Sequence, residues 1–234
     1  MTHVLAHKPT LARLGKIASG LRARSLLRCL EYERLASTGL DGVVLDFGGG
    51  KNANYRSMTS QWGDRFDLKS ANIDPVQDPD YLLSDDGRIP TDADAFDAVI
   101  SLNTFEHIYD LGAALSEIRR VLKPGGRLIF IVPFIFRVHA HPNDYHRGTP
   151  EFWGNVLAEH GFKTAQVETL AWGPFTTACS VSGLPGPFKW LRLRLALLMD
   201  VVWGSRRFKT DPQQTAAQED PVCNAPLAYY VEAR

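Results

Sequence analysis

From Val43 onward, short apolar-rich runs alternate with amphipathic stretches, and this alternation limits the fold more than any other feature of the chain. "VVLDF" (43–47), "SANID" (70–74), "AFDAVISL" (95–102) and "RLIFIVPF" (127–134) have strand length and strand composition. "LGAALSEIRRVL" (111–122) instead repeats at helical intervals, with Leu111, Ala114, Leu115, Ile118, Val121 and Leu122 on its apolar side. "KPGG" ends that helix, because Pro124 cannot continue it and Gly125 or Gly126 supplies a positive φ. A second helix is expected over 149–162, with Thr149 as N-cap, Pro150 at the first position and Gly161 closing it. "KTAQVETL" (163–170) and "LAYYVEAR" (227–234) read as the last two strands. Buried strands separated by helices require a parallel sheet covered on both faces. Ligands of such sheets bind at the carboxyl ends of the strands.

The flanks fit one domain. Residues 10–38 carry Leu11, Leu14, Ile17, Leu21, Leu26, Leu27 and Leu30 at helical spacing, which predicts one or two leading helices within 1–40. The core then occupies 42–172, a helical insertion or lid 173–226, and the final strand 227–234. A chain of 234 residues with 44% hydrophobic content suits a single large domain. Lys and Arg balance Asp and Glu at 26 each, so net charge gives no reason to expect nucleic acid as a partner. Cys29, Cys179 and Cys223 are odd in number and widely spaced, as in a reduced, cytoplasmic protein without a thiolate metal site. Lys8, Arg13 and Lys16 interrupt any signal-like apolar run, and no stretch reaches the ~20 residues of a membrane span.

The first core strand runs into Gly48, Gly49 and Gly50. Glycines after a strand let the backbone approach a ligand. Gly48-x-Gly50-x-x-Ala53, with Asp74 at the end of the next strand, satisfies a loose dinucleotide pattern. A nicotinamide enzyme, another nucleoside binder and a plain tight turn all remain open on that motif alone. Asp46, within the strand end two residues before Gly48, suits a cationic amino acid better than a pyrophosphate.

"FDAVISLNTFEHI" (96–108) followed by "EIRRVLKPGGRLIF" (117–130) resembles the class I S-adenosylmethionine-dependent methyltransferases, and the likeness spans about residues 42–162. The resemblance implies a Rossmann-like α/β fold with a mostly parallel seven-stranded sheet and S-adenosyl-L-methionine as cofactor. It implies that Asp46 and the Gly48–Gly49–Gly50 turn hold the methionine part, and that Asp74 accepts from the ribose hydroxyls. It further implies that Asp85 and Asp86 meet the adenine, and that Asn103 lines the floor near the amino acid end. Asn52 stands where the family often has another glycine, a departure that predicts an altered loop. An "NPPY"-type exit for flipped bases is absent, "LNTF" standing instead.

After the fifth strand comes "PFIFRVHAHPNDYHRG" (133–148), which should overlie the reacting methyl. Three readings compete for its histidines. His141 or His146 acts as general base oriented by Asp144; the cluster is a structural hydrogen-bond knot; or His139, His141 and Asp144 or His146 bind a metal. The first is adopted, with no metal. Arg147 would pair with an acceptor anion, and His107 in "FEHI" faces the pocket in the family. The insertion holds an apolar helix with Trp190, Leu193, Leu197 and Trp203 and basic flanks. It suits a lid or homodimer helix, peripheral membrane contact through 188–209, or a wall for an apolar acceptor. The expected function is methyl transfer to a small-molecule or lipid-linked acceptor, at a hydroxyl oxygen. The alternatives are an NAD(P)-dependent oxidoreductase and a non-catalytic S-adenosylmethionine-binding protein.

Overall fold

The chain opens with a strand, β1 (Thr2–Leu5), and two helices, α1 (Leu11–Gly20) and α2 (Leu26–Leu35). The core follows as β2 (Gly42–Phe47), β3 (Phe66–Asn72), β4 (Tyr81–Leu82), β5 (Phe96–Leu102), α3 (Leu111–Val121), β6 (Leu122–Pro133), α4 (Pro150–Glu159) and β7 (Ala165–Leu170). Two helices, α5 (Pro174–Val181) and α6 (Lys189–Arg207), precede the last strand, β8 (Ala228–Ala233). This computed structural model describes residues 1–5, 7–51, 55, 62, 66–140, 143–181, 186–207 and 222–234. Asn52, His141, most of the segment after the glycine run and the polar stretch 210–221 lie outside the described residues.

All strands join one sheet in the order β1-β7-β8-β6-β5-β2-β3-β4, and only β8 runs antiparallel to its neighbours. From β2 the chain moves outward to β3 and β4, then returns to lay β5 on the other side of β2. Strand order therefore reverses between β2 and β5, and the crevice at such a switch point is where open α/β sheets bind ligands.

Side chains alternate across the sheet, so neighbours on one strand reach opposite cores. Val44, Ile100, Ile129, Ile131 and Tyr230 pack with Leu27 and Leu30 of α2 and with Leu193 and Leu197 of α6. Leu45, Val99, Leu128, Phe130 and Val231 pack with Leu115 and Ile118 of α3 and with Trp153 and Leu157 of α4. Each such burial is worth roughly 1.5–3 kcal/mol, which is why the strands lack polar alternation. An ion pair fastens the N-terminal layer to the sheet. Arg34 donates to both oxygens of Glu168, at 2.6 and 2.9 Å, with its guanidinium 3.9 Å over the Tyr230 ring.

Local signals set the boundaries. Thr149 caps α4 by accepting from the Phe152 N–H, and Pro150 opens the helix. α3 ends at Val121, Gly125 takes φ +76°, and the register slips between Phe96 and Ala98 where "KPGG" enters β6.

Three expectations need correction. The sheet has eight strands, not seven, because residues 2–5 form β1 parallel to β7. The N-terminal part is accordingly a strand followed by helices. The strand expected over 70–74 ends at Asn72, so Asp74 lies beyond it and caps the short turn Pro75–Gln77. Among the described residues no helix is long and apolar enough to cross a membrane.

Candidate functional site

The glycine turn closes the carboxyl end of β2, and its neighbours explain each glycine. Gly48 adopts φ +90°, donates to the Ala71 carbonyl at 2.8 Å, and has Thr104 where a side chain would start. The Asp46 carboxylate fills that place at Gly49, and the Gln77 carbonyl lies 2.6 Å from it at Gly50. The space beside all three glycines is thus taken by the protein's own atoms, which press the turn into the crevice wall. Asn72 Nδ2 donates to the carbonyls of Gly48 (2.8 Å) and Gly49 (3.1 Å), fixing the turn from β3. Beneath it Asp46 is 1% exposed and accepts from the Tyr55 hydroxyl.

Asp74 stands beside this turn, linked through Gln77, whose carbonyl also accepts from the Lys51 N–H at 3.3 Å. Its half-buried carboxylate accepts from the Val76 N–H (2.9 Å) and, at 3.4 Å, from Gln77 Nε2. A carboxylate has about four acceptor positions, so capacity remains for a diol. Asp85 and Asp86 lie on the exposed loop after β4. Asp86 accepts from Ser84 Oγ (2.6 Å) and the Arg88 N–H (3.2 Å), bonds that hold its carboxyl below the usual carboxylate range. It shapes the loop, and Asp85 is the more available of the two. Asn103, just past β5, takes φ +53°, and its Nδ2 is buried without a hydrogen-bond partner. A buried carboxylate under the turn and an acid with open acceptor capacity beside it fit the ammonium and ribose of S-adenosylmethionine.

The acceptor side departs further from expectation. Asp144 was expected to orient His141 or His146. Instead its oxygens accept from both terminal nitrogens of Arg147, one at 2.5 Å, and from the His139 backbone N–H at 2.9 Å. Burial works against the ionised form, but Arg147 and that N–H outweigh it and hold the carboxyl below its ordinary range. His139 Nδ1 lies 3.4 Å from Asp144 Oδ2, so among the described residues the histidine Asp144 steadies is His139, and His141 lies outside them. Arg147, expected to meet an acceptor anion, is engaged by Asp144. His146 Nε2 sits 3.2 Å from the Tyr109 carbonyl, its ring stacked on Phe152 at 21°. A carbonyl only accepts, so Nε2 carries the proton and Nδ1 keeps its lone pair.

Two carboxylates of this region escaped the sequence reading. Glu106, in the short turn Phe105–His107 after β5, is fully buried and neither oxygen finds a hydrogen bond. Burial pushes its carboxyl up to about 8. Glu31 of α2 is 1% exposed, and burial raises its carboxyl too. It faces the Asn103 carboxamide and pairs with Arg28 at 3.0 Å, although neither Glu31 oxygen forms a well-aligned hydrogen bond. The adjacency of Glu106 to His107 was the one available sign.

Beyond His139 lies a cavity of about 270 Å³. Leu21, Leu26 and Leu27 wall it from the N-terminal helices, Trp190 and Leu193 from α6, and Phe136 from the exit of β6, with Arg24 and Arg137 at its margin. Phe136 meets the His139 ring edge-on at 5.6 Å, so one wall residue of the apolar chamber touches the histidine cluster. α6 turns Leu193, Leu197 and Val201 inward but leaves Leu191, Leu195, Leu198, Met199 and Val202 exposed. Asp200, fully buried, accepts from the N–H groups of Phe175 and Thr176 at 3.0 and 2.9 Å, locking α6 to the start of α5.

A reversing parallel sheet with a glycine turn and a following acid at its switch point defines a Rossmann-like nucleoside-binding domain. Residues 45–130 match the family model described as a methyltransferase domain, and the fold is that of the class I S-adenosylmethionine-dependent methyltransferases. That domain family takes S-adenosyl-L-methionine. Among curated proteins, the sarcosine/dimethylglycine N-methyltransferase of Halorhodospira halochloris is 28% identical over 168 residues, 58% of this chain and 58% of that protein. The chain thus spans little more than half the length of that relative. Among solved structures, one in the complex of the Haloferax volcanii Trm112 methyltransferase activator with a methyltransferase aligns with TM-score 0.56 and 18% identity, over 95% of this chain and 93% of that one. An S-adenosylmethionine-dependent methyltransferase from Mesorhizobium loti aligns with TM-score 0.54 and 17% identity, over 92% of this chain and all of the other. At such identities the structural likeness speaks for the fold alone.

Proposed function

We propose that the protein methylates a hydroxyl oxygen of a largely apolar small-molecule or lipid-linked acceptor, with His146 taking the proton. The observation that carries this reading is the apolar chamber whose wall residue Phe136 touches His139 of the histidine cluster. The sulfonium supplies an electrophilic methyl carbon. As the acceptor O–C bond forms and the S–C bond breaks, the electron pair stays on sulfur and the hydroxyl proton passes to His146 Nδ1. Imidazole suits that task near neutral pH. The Tyr109 carbonyl supports it by fixing the tautomer. Alignment in a closed pocket supplies the rest of the rate. Asp74 grips the ribose, Asp46 and the glycine turn the amino acid end, and Asp85 the adenine side.

The lining of the chamber favours an acceptor with an apolar body, and Arg24 and Arg137 suit an anionic group on it. The exposed apolar face of α6 with Arg192 and Arg194 fits contact with a lipid surface that would deliver such a molecule. The relative named as an amine methyltransferase favours a second reading, transfer to nitrogen. Incubation with methyl-tritiated S-adenosylmethionine and matched panels of hydroxyl and amine acceptors separates the two. Label in apolar hydroxyl compounds, lost in His146→Ala, is expected. Label only in amines would overturn the oxygen assignment. Tight binding of S-adenosylhomocysteine with no turnover on any acceptor would make the chain a binding protein.

A further inference from the structure

We propose that Glu106, His107 and His139 form a binding site for one divalent transition-metal ion, at which the acceptor oxygen takes an open position. The inference deepens the proposed oxygen methylation and rests on it. Its root is the Glu106 carboxylate, fully buried with neither oxygen hydrogen-bonded. A buried carboxyl group without a hydrogen-bond partner is costly, and a cation seated against it would satisfy it. Arg147 is a positive charge acting on Glu106, and Asp144 holds it. The two groups that do reach toward Glu106 are imidazoles. One ligand atom each from Glu106, His107 and His139 lie within 4.8 Å of one another. Two metal bonds of about 2.1 Å at tetrahedral or octahedral angles bring ligand atoms to roughly 3–3.4 Å apart, so small side-chain rotations close the set.

The rings are already prepared for ligation. His107 Nδ1 bonds the Asn143 carbonyl, which places the proton there and leaves the Nε2 lone pair, 3.6 Å from Glu106 Oε1. His139 has Asp144 Oδ2 at 3.4 Å from Nδ1, the outer carboxylate that ligating histidines commonly use. The two rings stand edge to face, 5.1 Å apart at 82°, as two imidazoles approaching one point from different directions do. The backbone braces the site as well: the Tyr145 N–H donates to the Glu106 carbonyl at 2.7 Å, tying the β5 exit to the β6 exit. Two imidazoles and one carboxylate suit zinc, manganese, iron or cobalt rather than magnesium, and leave positions open. His107 and His139 remain partly accessible, so a small molecule can reach those positions. A hydroxyl bound there would lose its proton more readily and be aimed at the methyl group.

Metal binding is measured on the tag-free full chain, stripped with chelator and titrated calorimetrically with zinc, manganese and cobalt chlorides. Cobalt is also followed by its visible absorption. One equivalent is expected, with Glu106→Gln and His139→Ala each weakening it about 100-fold or more. S-adenosylhomocysteine affinity, measured in parallel, should stay within twofold in both variants and reports that they are folded. A wild-type chain that binds S-adenosylhomocysteine but none of the three metals would overturn the site and leave the methyl-transfer reading standing. Metal affinity unchanged in folded Glu106→Gln would overturn it as well. Stoichiometric metal with no labelled product from any hydroxyl acceptor would keep the site and remove the oxygen methylation.

Discussion

The two halves of the ligand edge are built on different terms. The β2–β3–β4 half holds its polar groups by bonds within their own turns or between adjacent strands: Asp74 and Asp86 to their turns, Asn72 of β3 to the glycine carbonyls after β2. The half beyond β5 and β6 is assembled from distant pieces, with Glu31 from α2, Glu106 from the β5 exit and His139 and Asp144 from the β6 exit. There carboxylates are buried and two lack hydrogen bonds. A fixed nucleoside site needs only a self-contained frame. A reactive acceptor site keeps strained, unsatisfied groups that neighbouring elements must hold in place.

If the halves divide the labour, variants on each should leave the other's readout alone. The largest effect is expected from Asp74→Ala. Two charge-assisted bonds to a diol are worth about 1.5–3 kcal/mol each, so calorimetry should find S-adenosylhomocysteine affinity reduced about a thousandfold. Retained affinity would break the assignment of that half. Next, His146→Ala should cut turnover on a hydroxyl acceptor roughly 100-fold with cofactor affinity unchanged. A parallel fall in S-adenosylhomocysteine binding would erase the division. Leu193→Arg, which puts a charge into the chamber wall, should raise the acceptor KM about tenfold or more and leave cofactor affinity in place; an unchanged KM would put the acceptor elsewhere. The smallest functional effect is expected from Arg34→Met. Loss of the largely buried pair with Glu168 should lower stability by about 2–3 kcal/mol and the melting temperature by several degrees, seen by thermal denaturation. Both site readouts should stay within twofold at 25 °C.

The same division explains what could be read in advance. The alternation of strand and helix, the Thr149 cap, the glycine turn and Asp74 are legible because sequence neighbours make them. β1 was missed because four residues carry little periodicity and gain their structure from β7, far along the chain. Glu31 and Glu106 read as ordinary charged residues of a helix and a turn, since only tertiary packing around α2 and the β5 exit buries them. Asp144 could be placed in the right loop but not given its partners. Arg147, three residues on, claims it through a fork geometry that no spacing rule ranks above a histidine.

The reversed direction of β8 has a consequence for how such an enzyme can change. β7 ends and β8 begins on the same side of the sheet. The connection between them carries α5 and α6, and Leu193 and Leu197 of α6 pack in the same core as Val44 and Ile100. Pairing of β7 with β8 is set by the two strands themselves, so exposed stretches of that connection tolerate changes of length that leave the sheet's registers in place, while the packed face of α6 does not.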